Sequence, residues 1–113
     1  MTTEAINVDN IKAQMRKGIL EYCILIILSK EDAYTSSIIM QLKESQMIVV
    51  EGTLYPLLTR QKNQGLLSYR WEESTQGPPR KYYSITDRGK QVLAELNGVW
   101  NELVETINTI QNR

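Results

Sequence analysis

The sequence predicts a mainly α-helical protein with one small β-hairpin (an α+β class), folded as a single domain over residues 1–113. Apolar residues recur at helical spacing in four stretches, near residues 11–29, 35–45, 51–64 and 86–112. Between the last two stretches, residues 67–73 alternate as a half-exposed strand does, and residues 80–85 are typical of its return strand. The segment between these strands contains turn residues and no apolar side chain, so we expect a hairpin there.

Composition limits the kinds of site that the chain can form. Thirteen Lys and Arg residues balance thirteen Asp and Glu residues, so any basic surface must be local. From Tyr34 to Lys90, eight basic residues stand against five acidic ones, which makes the middle of the chain mildly basic. There is no histidine, and Cys23 is the only cysteine. Because a structural zinc site needs about four such ligands, we expect no metal.

We expect no catalytic residue and no cofactor. Without histidine, and with Cys23 inside an apolar stretch, the sequence offers no pair of nucleophile and base. The lone cysteine fits a reducing compartment, and the start lacks the basic region of a signal peptide. The longest apolar run, residues 22–28, is far shorter than the roughly 20 residues that cross a bilayer. These features predict a cytoplasmic protein without membrane contact.

The first predicted helix runs from about Ile11 to Ser29, after a loose arm of residues 1–8, with Asp9 or Asn10 as its cap. Its second half is apolar on nearly every side. A helix of that kind must be covered on more than one side, which one small domain can hardly do. We therefore expect a subunit interface along this helix.

The third predicted helix has two different faces. Leu54, Leu57 and Leu58 form its apolar face, and Gly65 follows at the position that needs a left-handed residue. The other half carries hydroxyl, amide and basic side chains and no carboxylate after Glu51. Such a face suits the major groove of DNA, where phosphates repel carboxylates, although an amphipathic core helix has the same period.

The second predicted helix begins at about Thr35 or Ser36 and ends near Ser45, and residues 46–50 connect it to the third. Two short helices joined in this way give the outline of a helix-turn-helix. The hairpin that follows completes a winged helix-turn-helix over residues 9–85. Its wing would grip the sugar–phosphate backbone.

A long helix is predicted from its cap, Thr86, to about Asn112. One apolar stripe runs along it, made of Val92, Leu96, Val99, Leu103, Ile107 and Ile110. A stripe of this length can pack both on its own domain and on a second copy. We therefore expect residues 86–112 to form the C-terminal dimerisation helix of a homodimer.

Several motifs resemble those of the PadR family of bacterial transcriptional regulators. They are Glu51-Gly52-Thr53-Leu54-Tyr55-Pro56-Leu57-Leu58, Gly65-Leu66-Leu67, Trp71-Glu72-Glu73-Ser74, Gly77-Pro78-Pro79-Arg80-Lys81-Tyr82-Tyr83 and Thr86-Asp87-Arg88-Gly89. The single C-terminal helix resembles the short subfamily, whose members include multidrug-sensing repressors. Membership implies a winged-helix homodimer that represses transcription from a double-stranded DNA operator and is released by an effector.

Two departures from the family pattern bear on DNA binding. The family's second helix usually opens with a Tyr-Gly stretch, whereas this chain has Tyr34-Thr35-Ser36-Ser37, in which hydroxyls replace the glycine. Relatives often carry two consecutive basic residues and a leucine where this chain has Thr59-Arg60-Gln61-Lys62. We expect fewer phosphate contacts at that place, and a different operator.

Candidate contacts with the DNA groove are Thr53, Tyr55, Arg60 and Asn63, all on the third helix. Arginine can pair with guanine through two hydrogen bonds, and a threonine methyl can meet a thymine methyl. A solvated helix face is the alternative for each of them. For Tyr55 the stronger alternative is burial against the wing.

Arg80 and Lys81, at the base of the wing, are candidate phosphate contacts, which fix register without reading sequence. Strand alternation places them on opposite faces, so we expect one of the two to point at DNA. The same rule divides Tyr82 from Tyr83, and one of these should lie in the core. We expect Trp71 to have a structural role.

Trp100 is the candidate effector residue. In multidrug-sensing relatives, a tryptophan at the matching place faces its symmetry mate across a ligand pore. Met15 and Ile19, as soft or apolar lining, are candidate walls of such a pore. The expected ligand is a planar hydrophobic or cationic small molecule. Plain packing of the dimer is the alternative role of Trp100.

A winged helix can also serve as a protein-interaction module that binds no DNA, because fold does not settle function. The zero net charge of the chain favours such a module. The basic middle of the chain and the Arg80–Lys81 pair favour a DNA-binding repressor.

Overall fold

The computed structural model describes residues 6–113, which form four helices and one sheet. The elements are α1 (Val8–Lys30), β1 (Ala33–Tyr34), α2 (Thr35–Glu44), α3 (Glu51–Asn63), β2 (Leu67–Ser74), β3 (Gly77–Ile85) and α4 (Asp87–Gln111). The strands make an antiparallel sheet in the order β1-β3-β2. The predicted winged helix-turn-helix with a long C-terminal helix is thereby confirmed.

Helix α1 starts about one turn earlier than the sequence pattern predicted. Its cap is Asn7, whose side-chain Oδ1 accepts hydrogen bonds from the backbone N–H groups of Asp9 at 3.0 Å and Asn10 at 3.4 Å. The expectation that Asp9 or Asn10 caps the helix was therefore wrong, because both lie inside its first turn. Most of the predicted N-terminal arm, residues 1–5, lies outside the described part of the chain.

The sheet has one strand more than the predicted hairpin. Ala33 and Tyr34 follow the polar break after α1 and pair with Tyr83 and Tyr82 of β3. A two-residue strand is too short to show the alternation that identifies strands in a sequence. Strand β1 pairs Tyr34, the residue directly before α2, with the base of the wing.

The tip of the wing is tighter than predicted. The expected turn of residues 74–79 shrinks to Thr75 and Gln76, since Ser74 already pairs with Gly77. Pro78 and Pro79 belong to β3. Proline is tolerated at this place because β1 pairs only with the far end of β3, so one edge of β3 stays open near the tip.

Two helices end in the same hydrogen-bonded motif. After α3, Gly65 has a φ of 79°, and Leu66 N–H donates to the Gln61 carbonyl at 2.9 Å, which confirms the predicted left-handed residue. After α2, the left-handed position falls on Gln46 with a φ of 70°, and Met47 N–H donates to the Leu42 carbonyl at 2.8 Å. The sequence pattern did not predict the second motif, because glutamine rarely adopts this conformation.

The core lies where α1, α2 and α3 meet the inner face of the sheet. Its buried members are Leu20, Ile24, Leu25, Leu28, Ala33, Ile38, Leu42, Leu54, Leu58, Leu66, Leu67, Tyr83 and Leu93. Tyr83 is buried while Tyr82 is only half-buried, which confirms the predicted division of the two tyrosines. Four residues in the second half of α1 are buried within this one chain. One small domain therefore covers much of this half, contrary to the reason for expecting a subunit interface there.

Helix α4 is joined closely to the end of α3. The Thr86 hydroxyl donates to the Gly65 carbonyl at 2.6 Å and also accepts from Gly89 N–H at 3.0 Å, so it caps the helix as predicted. Gly89 lies so close to Leu66 that a Cβ there would stand 2.2 Å from the Leu66 carbonyl oxygen. The first turn of α4 therefore packs directly on the backbone that follows α3.

Candidate nucleic-acid interface

Helix α3 buries one face and offers two different flanks. Leu54, Leu58 and Gln61 are fully buried against the core. Thr53 and Tyr55 lie two residues apart, about 200° around the helix axis, so they project from opposite flanks. The candidate DNA contacts on this helix therefore divide into two groups.

The Tyr55 flank faces the wing. Tyr55 is 47% exposed and lies near Tyr83, whose pKa is raised first by burial and then by the nearby phenols of Tyr69 and Tyr55. A groove of about 330 Å³ separates this flank from the hairpin. Its lining residues are Tyr34, Thr35, Ser36, Glu51, Tyr55, Trp71, Pro79, Arg80 and Lys81. The groove thus joins the start of α2, the start of α3 and the base of the wing.

The two basic residues of the wing are each held against aromatic rings. The guanidinium carbon of Arg80 stands 4.1 Å from the ring centroid of Tyr34. The ammonium of Lys81 stands 4.5 Å from the ring of Tyr69 and 5.6 Å from that of Trp71. Arg80 and Lys81 have different ring partners because neighbouring residues of β3 project from opposite faces of the sheet. Both nevertheless line the groove, whereas strand alternation predicted that only one of the two would point at DNA.

The other flank of α3 faces α1 instead of the wing. Thr53 lines a shallow apolar groove there with Leu57 of the same helix. Arg60 forms an ion pair with the carboxylate of Glu21 in α1. Gln61 donates a hydrogen bond from Nε2 to the Glu21 carbonyl at 3.1 Å. The structure therefore does not bring Thr53 and Arg60 together with the wing residues.

Asn63 lies on the outer face of α3, between the two flanks. It is exposed in the last turn of the helix and lines a shallow surface with Tyr55, Pro56 and Thr59. Thr59 was not among the candidate contacts, although its hydroxyl shares this surface. Its place could have been found from the sequence, because it lies one turn after Tyr55.

Two groove residues were missed by reasoning from the sequence. Trp71 was expected to be structural, but its side chain is 61% exposed, and it borders the groove with an edge-on contact to Tyr69. Tyr34 lies under Arg80 and packs on Tyr82, with ring centroids 4.6 Å apart. The position of Tyr34 depends on strand β1, which the sequence pattern did not reveal.

On the outer face of the sheet, Arg70 forms two ion pairs and contacts one aromatic ring. Arg70 Nε lies 2.8 Å from Glu72 Oε1, and Arg70 Nη1 lies 3.3 Å from Asp32 Oδ2. The guanidinium of Arg70 also stands 4.6 Å from the ring centroid of Tyr82. The hydrogen bond with Glu72 is the largest cause that raises the pKa of Arg70.

The candidate effector residues lie on the other side of the molecule. Trp100 of α4 is 40% exposed and packs at a tilt against Tyr22 of α1, with centroids 6.4 Å apart. The Tyr22 hydroxyl donates to Asn97 Oδ1 at 2.5 Å. Met15 and Ile19 precede Tyr22 on the same face of α1, one to two turns away. Met15 is 69% exposed and Ile19 is half-buried.

Other kinds of site have little support within residues 6–113. That part of the chain contains no group of three or more His, Cys, Asp or Glu residues placed to hold a metal ion. Burial raises the pKa of the Cys23 thiol, which makes it a weak nucleophile. None of the described helices has the length and apolar character needed to span a bilayer.

Comparison with known proteins agrees with the fold. The family model "Transcriptional regulator PadR-like family" matches residues 24–95. A PadR-like transcription factor from Bacteroides fragilis is 65% identical, with a TM-score of 0.78 over 89% of this chain and 98% of that chain. A PadR-like transcriptional regulator from Bacillus cereus is 40% identical, with a TM-score of 0.75 over 86% of this chain and 95% of that chain. For a PadR family regulator from Eggerthella lenta the identity is 33% and the TM-score 0.84, over 91% and 90% of the two chains. This chain therefore belongs to the PadR-like family of transcriptional regulators, which are not enzymes.

Proposed function

We propose that this chain acts as a homodimeric repressor that binds a double-stranded DNA operator and is released by a small-molecule effector. Residues 9–85 would form its DNA-binding region, and residues 86–112 its dimerisation helix. The observation that carries the DNA part is the groove between α3 and the wing. Tyr55 lines it together with Arg80 and Lys81, although it lies far from these two residues in the sequence.

The groove has the chemistry of a DNA-binding surface. Arg80 and Lys81 supply positive charge for phosphates, and Thr35 and Ser36 supply hydroxyls at the start of α2. Tyr55 and Asn63 project from the exposed side of α3, where side chains can reach base edges when a helix enters the major groove. We assign the main contacts to these residues. Thr53 and Arg60 would make additional contacts at the edge of the DNA-binding surface. Arg60 could do so only after its ion pair with Glu21 breaks.

The homodimer is supported by surface that a single chain leaves exposed. The radius of gyration is 17.1 Å, against about 13 Å for a compact chain of this length. The radius of gyration is larger because α4, about 37 Å long, extends beyond the core. Its exposed apolar residues are Val99, Trp100, Leu103, Val104, Ile107 and Ile110, and the first half of α1 adds Val8, Ile11 and Met15.

Charge adds to this argument. The first half of α1 carries Lys12, Arg16 and Lys17 against one acid, Asp9. After Lys90, the charged residues of α4 are all acidic: Glu95, Glu102 and Glu105. Opposite charges on two helices with exposed apolar stripes favour their pairing across a two-fold axis. The pairing would cover the same stripes in both chains.

The effector site would form only in that dimer. Trp100 and its symmetry mate would supply flat apolar faces with a negative quadrupole, and Met15 and Ile19 would supply soft walls. Such a site suits planar hydrophobic or cationic molecules. Release of DNA would require the ligand to bind better to a dimer in which the two α3 helices do not fit adjacent major grooves.

Binding of the protein to the DNA upstream of its own gene, measured over a range of salt concentrations, tests the DNA part. We expect saturable binding whose affinity falls steeply as salt rises, because each phosphate contact releases counterions. Absent or salt-independent binding would instead favour a winged-helix module that recognises other proteins.

Quenching of tryptophan fluorescence by a planar cationic dye tests the effector part. We expect quenching in the native protein and in the Trp71→Phe variant, and loss of dye binding in Trp100→Ala with the dimer intact. Quenching that persists in Trp100→Ala but vanishes in Trp71→Phe would show that the dye binds at the wing and would rule out the Trp100 site.

A further inference from the structure

Arg80 lies opposite a carboxylate in the sheet but forms no ion pair with it. In the register of β2 and β3, Glu72 lies directly opposite Arg80. Opposite charges at such cross-strand positions normally attract each other, with Cβ atoms about 5 Å apart. Yet among the described residues no carboxylate lies within 4 Å of the Arg80 guanidinium, and its neighbour is the ring of Tyr34.

The reason for this lies two residues before Glu72. Arg70 projects from the same face of β2 and engages the Glu72 carboxylate through Nε, at 2.8 Å. Arg70 is itself held by Asp32, from the corner after α1, and by the ring of Tyr82. The Glu72 carboxylate is thereby engaged by Arg70 and not by its cross-strand neighbour Arg80.

The ring of Tyr34 completes the arrangement from the other side. It contacts both the tilted ring of Tyr82 and the guanidinium of Arg80, so a series of contacts runs from Arg70 through Tyr82 and Tyr34 to Arg80. An arginine stacked on an aromatic face keeps its N–H groups in the plane of the guanidinium, free to donate outward. A phosphate in the groove would accept those hydrogen bonds.

We propose that Tyr34, Arg70 and Glu72 are positioning residues for DNA binding. The Tyr34 ring fixes the guanidinium of Arg80, and Arg70 withdraws the Glu72 carboxylate that would otherwise neutralise it. This inference rests on the proposed DNA-binding function, because it concerns how Arg80 is kept available to a phosphate.

The test uses the full-length protein and a fluorescein-labelled duplex of random sequence, since phosphate contacts do not depend on base sequence. Arg70→Gln frees Glu72 to pair with Arg80. We expect binding at fixed salt to weaken about two- to fivefold, the size of one exposed ion pair. The slope of log K against log salt should fall by about one, as for the loss of one phosphate contact.

Two double variants of equal net charge then separate the mechanism from general electrostatics. Adding Glu72→Gln to Arg70→Gln should restore the affinity and the slope, because no carboxylate is left beside Arg80. Adding Glu73→Gln, on the neighbouring position of the same strand, should restore neither. Equal recovery in both, recovery in neither, or an unchanged Arg70→Gln variant would each overturn the proposal.

Tyr34 gives an independent test that does not need the Arg70 variant to fold. Tyr34→Leu should lower the salt slope as much as Arg80→Ala does, and combining the two should add no further loss. Tyr34→Phe keeps the ring and should keep the native slope, whereas a plain packing defect would not show this pattern in the slope. If Tyr34→Leu keeps the slope of the native protein, the ring does not position Arg80.

The same measurements separate this inference from the function on which it rests. A native protein without salt-dependent DNA binding would overturn both. An Arg80→Ala variant with an unchanged slope would overturn the positioning role alone, because Lys81 also lines the groove. A weakened Arg80→Ala variant beside unaffected Tyr34 and Arg70 variants would overturn the positioning role alone.

Discussion

Gln61 of α3 donates a hydrogen bond from its side-chain Nε2 to the backbone carbonyl of Glu21 in α1, at 3.1 Å. Gln61 is 1% exposed, and its Oε1 has no partner among the described residues. The next residue along α1, Tyr22, contacts Trp100 and Asn97 of α4. One short stretch of α1 therefore touches both the proposed DNA-binding helix and the proposed dimerisation helix.

The Gln61 contact should stabilise the fold by packing more than by polarity. We expect the free energy of unfolding of Gln61→Leu to lie within about 1 kcal/mol of that of the native protein, because the change removes an unpaired buried oxygen along with one hydrogen bond. Gln61→Ala should lose about 1–3 kcal/mol through the cavity that it leaves. Urea unfolding measures both. A Gln61→Leu variant less stable than Gln61→Ala would contradict this account.

Gly89 should tolerate no side chain. A Cβ there meets the Leu66 carbonyl oxygen at 2.2 Å and Ile85 Cγ1 at 2.6 Å. We expect Gly89→Ala to lose about 1–3 kcal/mol of unfolding free energy, because backbone must move to admit the methyl group. At Gly98 of α4 an added Cβ meets no atom within 4 Å, so Gly98→Ala should instead raise the free energy of unfolding by up to about 1 kcal/mol. Equal effects of the two changes, seen by thermal or urea unfolding, would refute the close contact.

Stability should fall in alkaline solution through Tyr83. Burial raises the pKa of this phenol in the folded state, so the folded protein holds a proton that the unfolded chain loses above about pH 10. The contribution of Tyr83 is therefore complete below that pH and is lost as pH rises toward the folded-state pKa. Urea unfolding over this range should show a shallower decline for Tyr83→Phe. If the free energy of unfolding falls equally steeply with pH in both proteins, Tyr83 does not contribute to the alkaline loss of stability.

Leu103 should lie in the subunit interface. A carboxylate placed in an apolar helix seam loses its hydration without gaining a partner, at a cost of several kcal/mol by order of magnitude. We expect Leu103→Asp to be monomeric by light scattering. Asn101→Asp adds the same charge on the opposite side of α4 and should leave the dimer intact. A dimeric Leu103→Asp variant would exclude this stripe as the interface.

The sequence predicts the helices of this fold well because each has an apolar face of sufficient length. The stripe of α4, the all-round apolar half of α1 and the left-handed Gly65 are all local patterns. Strand β1 has no such pattern, since two residues can show no alternation. It is visible only through its pairing with β3.

The candidate site could be predicted less completely, because its members are selected by contacts between distant residues. Arg60 has the right charge and an exposed position, but Glu21, 39 residues earlier, draws it toward α1. Arg80 contacts the ring of Tyr34, which strand β1 brings beside the wing. Charge and periodicity along a sequence do not contain these pairings.

The claim that the wing holds DNA phosphates is tested most directly by the salt dependence of binding to a random-sequence duplex. In Arg80→Ala/Lys81→Ala the slope of log K against log salt should fall by about one to two units, and affinity for all DNA sequences should weaken equally. The matched control, Lys90→Ala/Arg113→Ala, removes the same charge from exposed positions outside the groove. That control should keep a slope close to that of the native protein. An equal fall of the slope in both double variants, or in neither, would contradict the assignment of the wing.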